Sequence, residues 1–222
     1  KVAQVLKQVG IYEFLKFDSK VVPRADDVVK WQYADGIGAD GRKYDDVLGE
    51  YIGVIPERLA NNLYVGITEA MTNCHNHAYI LPRNDGLDQN QNDEPKDWWM
   101  FSQEKDGRLS VVFCDLGAGI PSTLPVTQPT LWGKIKRLGR PVKDGELIAT
   151  AIEESKTRTL KSYRGKGLKQ LVEAVDEFDD GRLVIFSNCG CYDYFNGTPT
   201  ITEYDRSILG TLILWTVPIK EG

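Results

Sequence analysis

No apolar run in the chain reaches the roughly 18 residues that a membrane-spanning helix needs. The most apolar stretch, Ile208 to Ile219, is broken by Gly210, Thr211 and Pro218. Lys1 to Phe17 lacks the long apolar centre and cleavage site of a secretory signal. Histidine occurs only at positions 75 and 77. At i,i+2 the two do not share a helix face, which argues against a paired zinc site and leaves local hydrogen bonding as the expected role. The four cysteines, Cys74, Cys114, Cys189 and Cys191, include one C-x-C with no second pair, so unligated thiols in a reducing cytoplasm are expected. There is no internal repeat and no long low-complexity linker.

Charge is also short of one sign. Lys and Arg number 27 against 32 Asp and Glu, a formal net charge of −5. A general nucleic-acid binder is usually basic, so that class is disfavoured. Yet between Lys134 and Lys169 lie eleven Lys and Arg against four Asp and Glu. Such a segment in an acidic chain either approaches an anionic ligand or is a solvated loop.

Lys1 to Phe17 reads as an amphipathic helix, Lys20 to Tyr33 as one or two strands, and Ala34 to Gly41 as turn-rich. Pro56 opens a long helix to Tyr79, with Leu59, Leu63, Ile67, Met71, Cys74 and Ala78 on one apolar face. Leu81 to Lys96, rich in Asn, Asp, Gln and Pro, reads as a loop. A hairpin turns at Asp106-Gly107 between Trp98–Gln103 and Arg108–Asp115, and a second is expected within Asn188 to Asp205, with Gly197 in its turn. Helices are expected over 144–155 and 166–178, and strands over 182–187 and 208–218. This pattern predicts an α+β fold, a two-layer sandwich with helices on one face of a mixed, mostly antiparallel sheet. The expected organisation is a lead-in over 1–44 and a main domain over 45–222.

The polar face of the long helix is unusual. At about 100° per residue, Asn62, Gly66, Glu69, Asn73 and Asn76 fall within roughly 80° of one another. Asn and Gly are poor helix formers, so something other than helix stability favours them there. Glu69 and Asn73, at i,i+4, point to one spot. A carboxylate can orient or deprotonate water, and an amide oxygen suits magnesium. A polar face satisfied by neighbouring loops is the competing reading.

Two glycine motifs follow. An apolar strand ends in Asp115, and Leu116-Gly117-Ala118-Gly119-Ile120-Pro121 comes next. A carboxylate there can accept a hydrogen bond from an exocyclic amine while the glycines let backbone approach a ligand. Further on, Arg164-Gly165-Lys166-Gly167-Leu168 leads into a helix, an arrangement that presents N–H groups and positive charge to phosphate. A strand-to-loop turn and a basic hinge are the plainer alternatives.

In order and spacing these motifs resemble the GHKL ATPase superfamily. Glu69-Ala-Met-Thr-Asn73-Cys-His-Asn-His77-Ala-Tyr79 resembles its N box, closest to the anti-sigma-factor kinase branch. Asp115-Leu-Gly117-Ala-Gly119-Ile120-Pro121 resembles the G1 box, Gly165-Lys166-Gly167-Leu168 the G2 box, and Gly210-Thr211 the closing Gly-Thr. The resemblance spans about residues 45 to 219. It implies a Bergerat-type ATP-binding fold with a lid over 121–164. ATP and magnesium would be the ligands, Asn73 the magnesium ligand, and Glu69 the general base or water-orienting residue. Asp115, supported by Thr211, would read adenine. Gly117, Gly119 and Ile120 would shape its pocket, while Arg164, Gly165, Lys166, Gly167 and Leu168 would contact phosphates.

Three functions share that pocket: a nucleotide-driven switch with slow hydrolysis, a serine/threonine kinase acting on a STAS-like protein partner, and a non-catalytic ATP sensor. A homodimer is a further expectation. Nucleic acid and membrane are not expected as partners.

Overall fold

The structure is a computed structural model that describes residues 1–25, 28–82, 96–158 and 167–219, without the side chains at 13, 14, 156–158 and 167. Two short helices, α1 (Val2–Gln8) and α2 (Ile11–Phe14), precede strand β1 (Gln32–Ile37) and helix α3 (Lys43–Leu48). The long helix α4 (Glu57–Asn73) continues into a π-helical turn, Cys74–Ala78. Strands β2 (Asp97–Lys105) and β3 (Arg108–Asp115) form a hairpin. Helices α5 (Ile120–Thr127), α6 (Pro129–Lys136), α7 (Asp144–Arg158) and α8 (Gly167–Asp176) follow. The chain closes with β4 (Arg182–Ser187), β5 (Gly190–Phe195), β6 (Thr198–Glu203) and β7 (Thr211–Pro218).

The seven strands form one sheet in the order β1-β2-β3-β7-β4-β5-β6, and every pairing among them is antiparallel. The fold is α+β as expected, but the sheet is not mixed. Strands β3 and β4 run in the same direction and are joined across α5–α8, but β7 is inserted between them and is antiparallel to both, so no two neighbouring strands are parallel.

Burial alternates along β2, β3 and β7, which puts Trp98, Met100, Phe113, Ile213 and Trp215 on the inner face. There they share one core with the apolar stripe of α4 (Leu59, Leu63, Ile67, Met71) and with Leu171 and Val175 of α8. The long helix forms because its stripe has that core to enter. Buried Gly66 lets α8 come close: a Cβ there would lie 3.3 Å from Ala174 and 3.5 Å from Trp215. A second, smaller cluster joins Leu124 of α5, Leu131 and Ile135 of α6, and Leu147 and Ala151 of α7. The segment between the two glycine motifs is therefore a helical unit with its own apolar centre.

Three local expectations need correction. Lys20 to Trp31 carries no strand among its described residues, and the turn-rich Ala34–Ile37 lies within β1. Gly36 there is a strand glycine, because the Trp98 ring lies 2.7 Å from where its Cβ would be. β1 takes its place by pairing six residues with β2, and Ala34 and Tyr44 enter the main core. The final strand starts at Thr211 rather than Ile208, because Gly210 is held at φ +145 directly against the Asp115 carbonyl. The loop expected over Leu81 to Lys96 lies mostly outside the described residues.

Candidate functional site

A cavity of about 720 Å³ opens between the C-terminal half of α4, the ends of β3 and β7, and helices α5, α7 and α8. Its size falls within the range of about 300 to 1,000 Å³ usual for small-molecule sites. Glu69, Asn73, Asp115, Gly119, Ile120, Leu168 and Thr211 all line it. Residues that arise from four separate motifs, up to 142 positions apart by their numbers (211 − 69), are thus brought to one hollow.

The polar face of α4 divides in two. Its first half serves packing: Asn62 donates to the Glu177 carboxylate at 3.3 Å and Gly66 admits α8. Its second half, Glu69, Asn73 and Asn76, faces the cavity with His77. Burial raises the Glu69 carboxyl above the ordinary carboxylate range, and the nearby Asn73 amide opposes that rise only in part. Asn73 Nδ2 itself is buried and has no hydrogen-bond partner.

The π turn after Asn73 sets the next wall. It brings the Ala78 carbonyl to accept from the Ala118 N–H at 2.7 Å. Gly117 is required at this contact, because a Cβ would sit 2.3 Å from the same carbonyl oxygen. Tyr79 completes the join: its hydroxyl donates to the Asp97 carbonyl at 2.5 Å and accepts from the Leu116 N–H at 3.2 Å.

Asp115 is buried at the end of β3, and its carboxylate accepts from the Gly117 N–H at 2.9 Å. Thr211 lies directly opposite it across the β3–β7 pairing. Two residues that the sequence reading missed hold the loop. Ser187 Oγ accepts from the Ile120 N–H at 2.8 Å and lies 3.0 Å from Thr211 Oγ1. Asn188 Nδ2 donates to the Ala118 carbonyl at 3.1 Å and to Ser122 Oγ at 2.8 Å. Gly119, at φ +82, has no room for a Cβ beside the Asn188 amide. The available signal for this pair was a polar Ser-Asn following the apolar run Leu183 to Phe186.

The far wall comes from the helical unit. Ile120, Thr123, Leu124 and Thr127 of α5 present one face, followed by Gln128, with Ser155 of α7 and Gln170 of α8 opposite. None of these polar groups carried a recognisable motif. Of the second glycine motif, Gly167 opens α8 and Leu168 lines the cavity. Arg164, Gly165 and Lys166 lie outside the described residues.

The basic segment is only partly available to a ligand. Lys134 pairs with Glu154 at 3.2 Å, Arg140 with Glu146 at 2.9 Å and Lys169 with Glu173 at 2.6 Å. Among the described residues no Lys or Arg lines the cavity. In these three cases the positive charge of the segment is paired with acids of α7 and α8.

Among the described residues no group of three or more His, Cys, Asp and Glu side chains could hold a metal ion. A cation in the cavity would rest on few protein oxygens and complete its shell from ligand and water, a pattern magnesium accepts. None of the four cysteines is in a disulfide. Among the described residues no helix is long and apolar enough to cross a membrane. Protein-family models and the curated proteins were both compared with this chain, and neither comparison returns a match.

Proposed function

We propose that the cavity binds ATP with magnesium and that the protein is a nucleotide-driven switch of the GHKL type with slow ATP hydrolysis. One observation carries this reading. Buried Asp115, with its glycine loop, and the Glu69-Asn73 pair of α4 line one cavity of nucleotide size. A buried carboxylate beside tightly placed backbone suits an adenine amine, and a half-buried carboxylate with a raised pKa suits proton acceptance from water.

In this reading Asp115 accepts from the adenine amine, and Gly117 and Gly119 hold the loop beside the base by admitting the Ala78 carbonyl and the Asn188 amide. The Asn73 amide oxygen would hold magnesium, and the Glu69 carboxylate would orient water toward the terminal phosphate. Magnesium would supply neutralisation of phosphate charge. Gly167 and Leu168, at the start of α8, stand where helix N–H groups favour phosphate.

The test is calorimetric titration with Mg-ATP together with phosphate release. Asp115→Asn is expected to weaken ATP binding at least tenfold, the order of a lost charged hydrogen bond. Glu69→Ala is expected to abolish phosphate release while ATP still binds. Unchanged affinity in Asp115→Asn would remove the adenine assignment. Binding without turnover in the wild type would replace the switch by a kinase awaiting its protein substrate or by a sensor.

A further inference from the structure

Three buried side-chain polar atoms among the described residues have no hydrogen-bond partner: Asn73 Nδ2, Gln128 Oε1 and Tyr192 Oη. Two of the three belong to residues that line the candidate cavity, one on each side of it. A buried amide oxygen without a donor costs free energy, and native proteins keep few of them. Where such groups gather at a cavity, the missing partner is looked for in the ligand.

Gln128 has no structural work that would explain it. Its backbone is fully used: the N–H donates to the Leu124 carbonyl at 2.9 Å, and the carbonyl accepts from the Trp132 N–H at 2.9 Å. It occupies the N-cap position of α6, yet its side chain makes no capping hydrogen bond. Glutamine is not among the residues that cap well. The backbone is pinned at the α5–α6 junction and the side-chain oxygen is left over.

The chemistry of that leftover atom narrows its partner. An amide oxygen needs a donor. Phosphate oxygens accept only, so they do not suit it. In the nucleotide reading, on which this step rests, the adenine amine is taken by Asp115. Gln128 stands a helix length away from that end, about 12 Å along α5 at 1.5 Å per residue. The donors that remain on a ribonucleotide are its sugar hydroxyls. We infer that Gln128 accepts a hydrogen bond from a ribose hydroxyl and makes the site selective for ribonucleotides over their deoxy counterparts.

The experiment titrates the full chain with Mg-ATP, Mg-2′-deoxy-ATP and Mg-3′-deoxy-ATP, in the wild type, Gln128→Leu and Gln128→Glu. The wild type is expected to bind one deoxy analogue about tenfold more weakly than ATP, the order of one hydrogen bond. Gln128→Leu should bind ATP only as well as the wild type binds that analogue, and should no longer discriminate. Gln128→Glu keeps an acceptor and should keep the preference. Thermal stability of Gln128→Leu at or above wild type checks that the variant folds. Equal wild-type affinity for all three nucleotides, or discrimination that survives in Gln128→Leu, overturns the assignment while ATP binding stands. Equal losses for all three in Gln128→Leu, deepened in Gln128→Glu, would place the amide against phosphate and also overturn it. A wild type that binds no ATP ends the nucleotide reading itself.

Discussion

The glycine loop and the helical wall of the cavity are built on opposite plans. Around the glycine loop, polar groups are paired within the protein: Ala118 N–H with Ala78, Ile120 N–H with Ser187, Gly117 N–H with Asp115, and the Asn188 amide with Ala118 and Ser122. On the helical side, a small apolar cluster holds α5, α6 and α7 together, and a buried polar atom, Gln128 Oε1, is left unpaired. The first wall is shaped before any ligand arrives. The second holds back part of its hydrogen-bonding capacity. The contrast teaches where recognition can be rigid, at a base edge, and where it can depend on what enters.

The strongest way to break the contrast is to spoil the rigid wall. Gly117→Ala would set a methyl against the Ala78 carbonyl, 2.3 Å from its oxygen, and neither backbone can yield without unpairing Ala118. Overpacking of this kind costs about 1 to 3 kcal/mol, to be read by urea unfolding, and Mg-ATP affinity should fall with it. Next comes Ser187→Ala, which strips the partner of the Ile120 N–H and a neighbour of Thr211. About 1 to 2 kcal/mol of stability should be lost. If stability holds while nucleotide affinity drops, Ser187 tunes the pocket rather than the fold.

The smallest effect has the opposite sign. Burial raises the Glu69 carboxyl above its ordinary value of 4.5, so the folded state binds a proton more tightly than the unfolded chain. Its contribution to stability therefore falls as pH rises from the unfolded value through the folded one. Glu69→Gln removes that cost. The apo variant should melt at a higher Tm than wild type near about pH 7, and at the same Tm near about pH 3.5, where both side chains are neutral. A variant that melts lower at about pH 7 would mean the Glu69 charge is compensated in the fold.

The legible parts of this molecule are those with a period or a fixed order. The stripe Leu59, Leu63, Ile67 and Met71 predicts α4 because it reports one buried face, and the Asp106-Gly107 turn between two apolar runs predicts the β2–β3 hairpin. The cavity residues Glu69, Asn73, Asp115 and Thr211 could be read because they sit at element ends or on a helix face with the wrong composition. Asn62 and Gly66 share that face yet pack against α8, because angle around a helix says nothing of what stands beside each turn. β1 was hidden because a glycine inside a strand looks like a turn until Trp98 is seen to lie over it. Ser187, Asn188 and Gln128 were hidden because their meaning comes only from distant neighbours. Ser187 meets Ile120 across 67 positions.

The π turn at Cys74–Ala78 places a constraint of a different kind on this chain's descendants. A π turn carries a residue beyond the α-helical count. Losing any one of its five residues would let the helix relax, swinging the Ala78 carbonyl by about 100°. The glycine loop would then lose its anchor even with Glu69, Asn73, Asp115 and Thr211 still encoded. Evolution can reword this stretch far more freely than it can shorten it.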